Sequence, residues 1–152
     1  EEGHQQVLST VSATNCFDRD TIVVSSDFKR AAETAIIIQQ ELRCGPVEFD
    51  DRLRERFFGG WEGQSHENYS KAWMQDCYDP DQVGNGAESS ASVLQRMLSL
   101  VESLEERYSA MKIILVSHGD PLMILQTAFA GMNSGKHRSL PYFETAELRP
   151  LN

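Results

Sequence analysis

The feature that most constrains the fold is a short apolar run that stops at a histidine and turns at once into a helix. Ile113–Val116 is apolar and mostly β-branched, Ser117-His118-Gly119 follows, and Asp120-Pro121 is a typical helix start. The pattern predicts a buried strand that ends in an exposed histidine beside the free N–H groups of a helix. Phosphate binds readily at such a place.

A second segment repeats this design with an arginine. Thr21–Val24 predicts a short buried strand, and Ser26 or Asp27 is expected to cap the helix that follows. Arg30 falls in the first turn of that helix, where a cation opposes the helix dipole and a planar guanidinium suits phosphate oxygens. A solvated helix arginine is the competing interpretation. We expect Arg30 and His118 to converge on one tetrahedral dianion from neighbouring strand ends.

The elements alternate along the chain and predict an α/β fold. Predicted helices cover 5–11, 26–43, 65–77, 88–108 and 121–129, and predicted strands cover 21–24, 47–49, 112–117 and 145–148. This alternation favours a three-layer αβα sandwich with a mostly parallel sheet. The 152 residues show no linker or repeat, so we expect one domain over 1–152.

Charge and cysteine usage exclude several classes of partner. The net charge of −9, from 14 Lys+Arg against 23 Asp+Glu, argues against nucleic acid and anionic membrane surfaces. No apolar run is long enough to span a membrane. Cys16, Cys44 and Cys77 are odd in number and form no C-x-x-C pair, so we expect free thiols, no metal site and a cytoplasmic location. No pattern specifies an oligomeric state.

Two carboxylates are candidates for chemistry. Glu55 lies between Arg54 and Arg56 in a loop rich in glycine and aromatic residues, and a partly buried carboxyl near phosphate suits a proton donor. A packed loop is the alternative interpretation. Glu88 either contacts a substrate or complements a helix dipole, and the second interpretation is favoured. Three further histidines have polar neighbours and are expected at the surface: His4, His66 and His137.

Four segments in this order resemble the histidine phosphatase superfamily, which has the phosphoglycerate-mutase-like fold. The resemblance covers nearly the whole chain, and the ordered set is much more specific than any single motif. The matching segments are Ser25–Ala35 (Ser-Ser-x-x-x-Arg-Ala-x-x-Thr-Ala), Leu53–Gly63 (Leu-x-Glu-x-x-Phe-Gly-x-Trp-Glu-Gly), Gly86–Ser89 (Gly-Glu-Ser with Ala87 inserted, followed by Arg96) and Val116–Gly119 (Val-Ser-His-Gly).

The resemblance implies hydrolysis of a small phosphate monoester through a phosphohistidine, without a metal or other cofactor. By this resemblance Arg30 clamps the phosphoryl group and His118 is the second histidine, with Gly119 beside the phosphate. Glu55 is the implied proton donor, and Glu88 is a possible substrate contact. The alternatives are a phosphoglycerate-type mutase and a catalytically inactive phosphate-binding or protein-interaction module. The compact length of the chain favours hydrolysis, and so does the Trp-Glu-Gly that ends its Leu53–Gly63 segment.

The chain departs from the family pattern at its beginning. The family's nucleophile lies in an Arg-His-Gly segment at the end of a first strand, and no Arg-His-Gly occurs here. Gly3-His4-Gln5-Gln6 resembles instead the Gly-x-x-Gln that follows the nucleophile. We therefore expect a chain that lacks its first strand and its nucleophile, is inactive as given and is poorly stable alone.

Overall fold

The computed structural model describes residues 2–151, in which helices alternate with parallel strands. The helices are α1 (Glu2–Ala13), α2 (Lys29–Leu42), α3 (His66–Tyr78), α4 (Ser90–Arg107) and α5 (Gly119–Phe129), and the strands are β1 (Ile22–Ser25), β2 (Glu48–Phe49) and β3 (Ile113–Val116). Short 3₁₀ helices cover Asp51–Leu53, Gly59–Trp61 and Ser134–Ser139. None of the helices within residues 2–151 is long and apolar enough to cross a membrane.

The three strands form a parallel sheet in the order β2-β1-β3, which confirms the predicted α/β class. Val24 of β1 faces Glu48 of β2 and Leu115 of β3 in the register. β1 is central and buried from Val23 to Ser25, which explains its uninterrupted apolar run. Because the strands are parallel, β1 and β3 end at the same edge of the sheet.

The described residues divide into two compact units. The first contains 2–54, 103–118 and 143–150, and the second contains 55–102, 119–142 and 151. The first unit holds the sheet, and apolar side chains of α1 and α2 form a buried cluster with β1 and β3. The members of this cluster are Val7, Val11, Val23, Ala31, Ala35, Ile38, Cys44, Ile114 and Val116. The expectation of one domain over 1–152 stays a prediction.

The second unit contains the first part of α4 and the whole of α5, and both carry buried apolar side chains. Val93, Met97 and Leu100 recur at helical spacing and are almost fully buried, as the sequence pattern predicts. α5 is apolar on most of its surface and buries Met123, Ile124 and Leu125 in succession.

The predicted strand over 145–148 is wrong. These residues form a turn in which Ala146 has a φ of 60°. The backbone N–H of Glu147 donates to the carbonyl of Glu144, and the Glu147 carboxylate accepts from the Glu144 N–H at 2.8 Å. Local hydrogen bonds therefore satisfy backbone groups that a strand would have paired with a neighbour.

Candidate active site

His118 directly follows β3 in the first unit and is buried, with 7% of its surface exposed. Its Nε2 lies 3.0 Å from the Ser26 hydroxyl, and its ring meets Phe28 edge-on at a centroid distance of 5.6 Å. The prediction of an exposed histidine is therefore wrong, because the residues that follow β1 cover the ring. The imidazole nevertheless contacts a hydroxyl and does not point into the apolar core.

Arg30 is the second residue of α2 and its side chain is exposed. Among residues 2–151 its guanidinium has no hydrogen-bond or ion-pair partner. The adjacent Lys29, by contrast, lies 3.8 Å from Glu33. Because Phe28 immediately precedes α2, the turn that covers His118 is the turn that leads into Arg30. His118 thus packs against the turn that leads into α2, the helix that carries Arg30.

The predicted caps of α2 serve other partners. Phe28 is the N-cap residue and makes no side-chain capping bond. The Ser26 hydroxyl accepts from the Phe28 N–H at 3.2 Å while it also bonds His118. Asp27 is bound by both ends of the Arg54 guanidinium, with Nε 2.7 Å from Oδ1. These hydrogen bonds hold the pKa of Asp27 below its usual value.

Glu55 lies in the second unit and is half-buried. Its Oε1 accepts from the backbone N–H of Arg56 at 2.9 Å, and its carbonyl accepts from Arg96 at 3.5 Å. The carboxyl is therefore oriented by its own backbone and keeps partial contact with solvent. Both properties suit the proton donor that the sequence predicts.

Glu88 lies two residues before α4, also in the second unit. Its carboxylate accepts from Arg96 Nε at 2.8 Å, whereas Ser89 caps the helix by accepting from the Ser92 N–H at 3.1 Å. Arg96 therefore holds this carboxylate close to the start of α4, and the favoured interpretation of Glu88 as a partner of the helix dipole stays a prediction.

Gly119 opens α5, and a Cβ added to it would meet no atom within 4 Å. The first N–H groups of a helix have no partner inside that helix. The open space beside Gly119 therefore leaves this backbone approachable, as the sequence predicts for a residue that binds phosphate.

A buried charge network in the second unit was not predicted. Arg56 is 1% exposed, and its terminal nitrogens lie 2.7 and 2.8 Å from the Asp76 carboxylate and 3.3 Å from Asp120. Its Nε donates to the carbonyl of Glu88 at 2.8 Å. The sequence held one signal of this network, since Asp76 lies four residues after buried Ala72 on one face of α3.

His137 belongs to the same network, so the expectation of a surface histidine is wrong for this residue. It is fully buried, with Nε2 2.9 Å from Asp120 Oδ1 and Nδ1 2.9 Å from the Ser134 carbonyl. Both ring nitrogens therefore lie within hydrogen-bond distance of an oxygen atom. Burial alone would raise the pKa of Asp120, but His137 and Arg56 outweigh it and hold that pKa below its usual value. His4 and His66 are exposed as expected.

Comparisons with known proteins agree with these motifs. The "Uncharacterized phosphatase PhoE" of Bacillus subtilis is 30% identical over 85% of this chain and 63% of its own length. A glucosyl-3-phosphoglycerate phosphatase of Mycolicibacterium vanbaalenii is 33% identical over 73% of this chain and 54% of its own. The chain thus spans between about half and just under two thirds of these relatives.

A solved structure and a family model extend the comparison. The structure of Bacillus stearothermophilus YhfR superposes with a TM-score of 0.79 at 26% identity, covering 96% of this chain and 74% of that one. The model of the histidine phosphatase superfamily (branch 1) matches residues 1–151. Matched over nearly its whole length, and carrying the ordered motifs described above, the chain belongs to the histidine phosphatase superfamily.

Proposed function

We propose that this chain is the phosphoryl-transfer domain of an enzyme that hydrolyses a small phosphate monoester. The observation that carries the proposal is the packing of His118 on the Ser26–Phe28 turn. Arg30 follows this turn closely, and its guanidinium has no hydrogen-bond or ion-pair partner among residues 2–151. Membership of a superfamily whose relatives include named phosphatases supports hydrolysis.

The proposed roles follow from the available donors. The guanidinium of Arg30 offers a planar fork to two phosphoryl oxygens. His118 donates to a third oxygen when phosphate replaces the Ser26 hydroxyl at Nε2. The N–H of Gly119 adds a backbone donor at the start of α5. Three groups that favour a dianion offset the repulsion that a chain of net charge −9 exerts on phosphate.

The motif match supports two further assignments. Glu55 is proposed to protonate the leaving oxygen, and Glu88, held by Arg96, is proposed to contact the rest of the substrate. By the resemblance, the complete enzyme transfers the phosphoryl group to the histidine of the family's Arg-His-Gly segment as the leaving oxygen takes a proton from Glu55, and water then releases phosphate from that histidine, without a metal or cofactor. These 152 residues contain no Arg-His-Gly segment. We therefore propose that they bind phosphate without turnover.

We also propose a cytoplasmic location. The three cysteines are odd in number and form no C-x-x-C pair, which is typical of free thiols in a reducing compartment.

Calorimetric titration with inorganic phosphate and with vanadate tests the binding site. We expect saturable binding that weakens about 10- to 100-fold in Arg30→Ala and in His118→Ala, because each variant loses a charge-assisted hydrogen bond. Lys29→Ala and His66→Ala are matched controls that remove an adjacent cation and an exposed imidazole. Absence of binding, or equal losses in the controls, would contradict the proposal.

Assays with small phosphate monoesters test the reaction. We expect the whole gene product to release inorganic phosphate and the 152-residue chain to release none. Transfer of phosphate between two positions of one substrate would favour a mutase. Binding without turnover by the whole gene product would favour an inactive phosphate-binding protein.

A further inference from the structure

An ion pair beside His118 has no role in the proposed reaction. We infer that Asp27 and Arg54 are positioning residues that hold the Ser26–Phe28 turn against the imidazole of His118 and so fix its orientation. This inference rests on the proposed function of His118. All the residues concerned belong to the first unit.

The first observation is the use that the structure makes of Asp27. Aspartate close to the start of a helix often caps it, and Asp27 lies just before Phe28, the N-cap residue of α2. α2 begins without any side-chain cap, because the carboxylate of Asp27 faces Arg54 instead. The guanidinium of Arg54 also lies over the Phe28 ring, 5.3 Å from its centroid. Arg54 therefore contacts two consecutive residues of the turn that covers His118.

The second observation is that the other end of Arg54 is anchored to the residue before His118. Arg54 follows Leu53, which is fully buried, and the Leu53 carbonyl accepts from the Ser117 hydroxyl at 2.7 Å. The backbone next to Arg54 is thereby bonded to Ser117, which follows β3, and the side chain of Arg54 is bonded to Asp27, which lies two residues after β1. Together with the contacts of Ser26 and Phe28 to His118, these bonds form a closed series of contacts that includes His118.

The exposure of the Arg54–Asp27 ion pair allows its effect on the orientation of His118 to be separated from its effect on the stability of the fold. The side chains of Arg54 and Asp27 are 46% and 37% exposed, and exposed ion pairs contribute little to the stability of a fold. Loss of the pair should therefore leave the melting temperature nearly unchanged. Its consequence should appear at His118, which the turn orients.

The experiment compares Arg54→Ala, Asp27→Ala and the double variant with Lys112→Ala. The control breaks the Lys112–Asp18 pair, whose side chains are 49% and 53% exposed in the same unit. The readouts are the imidazole ¹⁵N shifts of His118 between pH 5 and 9, assigned with His118→Asn, and the Kd for phosphate. We expect altered His118 shifts and a Kd about threefold to tenfold weaker in each single variant, with no further loss in the double variant.

Several results would overturn the inference. These are wild-type His118 shifts in Arg54→Ala and Asp27→Ala, additive losses in the double variant, and equal changes in Lys112→Ala. If Arg54→Ala does not fold, Asp27→Asn makes the same test with a smaller change. If the wild-type chain does not bind phosphate, the proposed function fails. The His118 shifts still decide whether the ion pair orients the ring.

Discussion

Arg56 is the cation that faces the buried Asp76 carboxylate, whereas Asp120 also contacts His137. The Arg56 guanidinium donates two hydrogen bonds to the Asp76 carboxylate and a third to Asp120. The side chains of Arg56 and Asp76 are wholly buried. A buried pair is costly to desolvate, but it is far more costly to leave one charge without its partner. Removal of Arg56 should therefore be destabilising mainly because it leaves a buried carboxylate charge without a cation.

Replacing Arg56 with methionine tests this directly. We expect Arg56→Met to lower the free energy of unfolding by about 3–5 kcal/mol, because the wholly buried Asp76 carboxylate loses its cation. Urea denaturation followed by circular dichroism measures the loss. The control is Arg107→Ala, which breaks an ion pair with Glu48 whose side chains are 55% and 31% exposed, and it should cost less than about 1 kcal/mol. Equal losses in the two variants would contradict the role of burial.

The sequence identifies Arg30 and His118 but not Arg56 and His137, for a physical reason. The first two lie within a few residues of the ends of β1 and β3, and strand ends are positions that a local pattern specifies. Arg56 and His137 owe their burial to Asp76 and Asp120, which are far from them along the chain. Polar side chains are buried when such partners are present, and no local pattern records a partner on another element.

At the scale of elements, the apolar periodicity of the sequence predicts where the helices and strands lie. Where a helix begins also depends on whether its candidate capping side chains bond the helix or another partner. The predicted bounds of α3 and α4 lie within about two residues of the observed ones. The start of α2 differs, because Ser26 and Asp27 bond His118 and Arg54 in preference to the helix N–H groups. A capping pattern predicts which groups are able to cap, and tertiary partners decide whether they do.

The segment that contains the 3₁₀ helix Gly59–Trp61 allows backbone strain and close packing to be tested separately. Two of its glycines have similar backbone conformations but different surroundings. Gly59 and Gly63 have φ values of 59° and 71°. A Cβ on Gly59 would lie 2.1 Å from the Asn85 carbonyl oxygen, whereas a Cβ on Gly63 would meet nothing within 4 Å. Gly63→Ala thus isolates the cost of a positive φ, and Gly59→Ala adds a collision with backbone.

We expect Gly63→Ala to destabilise the chain by about 1–2 kcal/mol. Gly59→Ala should destabilise it by more than about 3 kcal/mol, because overpacking adds to the strain. Thermal unfolding of both variants measures the difference. A Gly59→Ala variant as stable as Gly63→Ala would show that the segments around Gly59 and Asn85 separate at little cost.

For the whole molecule, acid should be the condition that most weakens the fold, since every carboxylate with a shifted pKa is shifted in the same direction. These carboxylates are Asp18, Asp27, Asp50, Asp120 and Glu147, and in each case hydrogen bonds or nearby cations lower the pKa. A group whose pKa is lower in the folded state binds fewer protons there than in the unfolded state. Its stabilisation is complete above the unfolded pKa, about 4, and is lost as pH falls through the folded pKa.

Net charge opposes this trend only at higher pH. Between pH 7 and the isoelectric point near 4.8, protonation relieves the self-repulsion of a chain with net charge −9, so the melting temperature should change little. Below about pH 4 both effects act against folding, and buried Asp120 should dominate because water screens it least. Calorimetry from pH 7 to 3 should therefore show a steep acid fall that Asp120→Asn flattens while lowering the melting temperature at pH 7. Asp18→Asn, at an exposed pair, should keep the wild-type slope, and an unchanged slope in Asp120→Asn would refute the assignment.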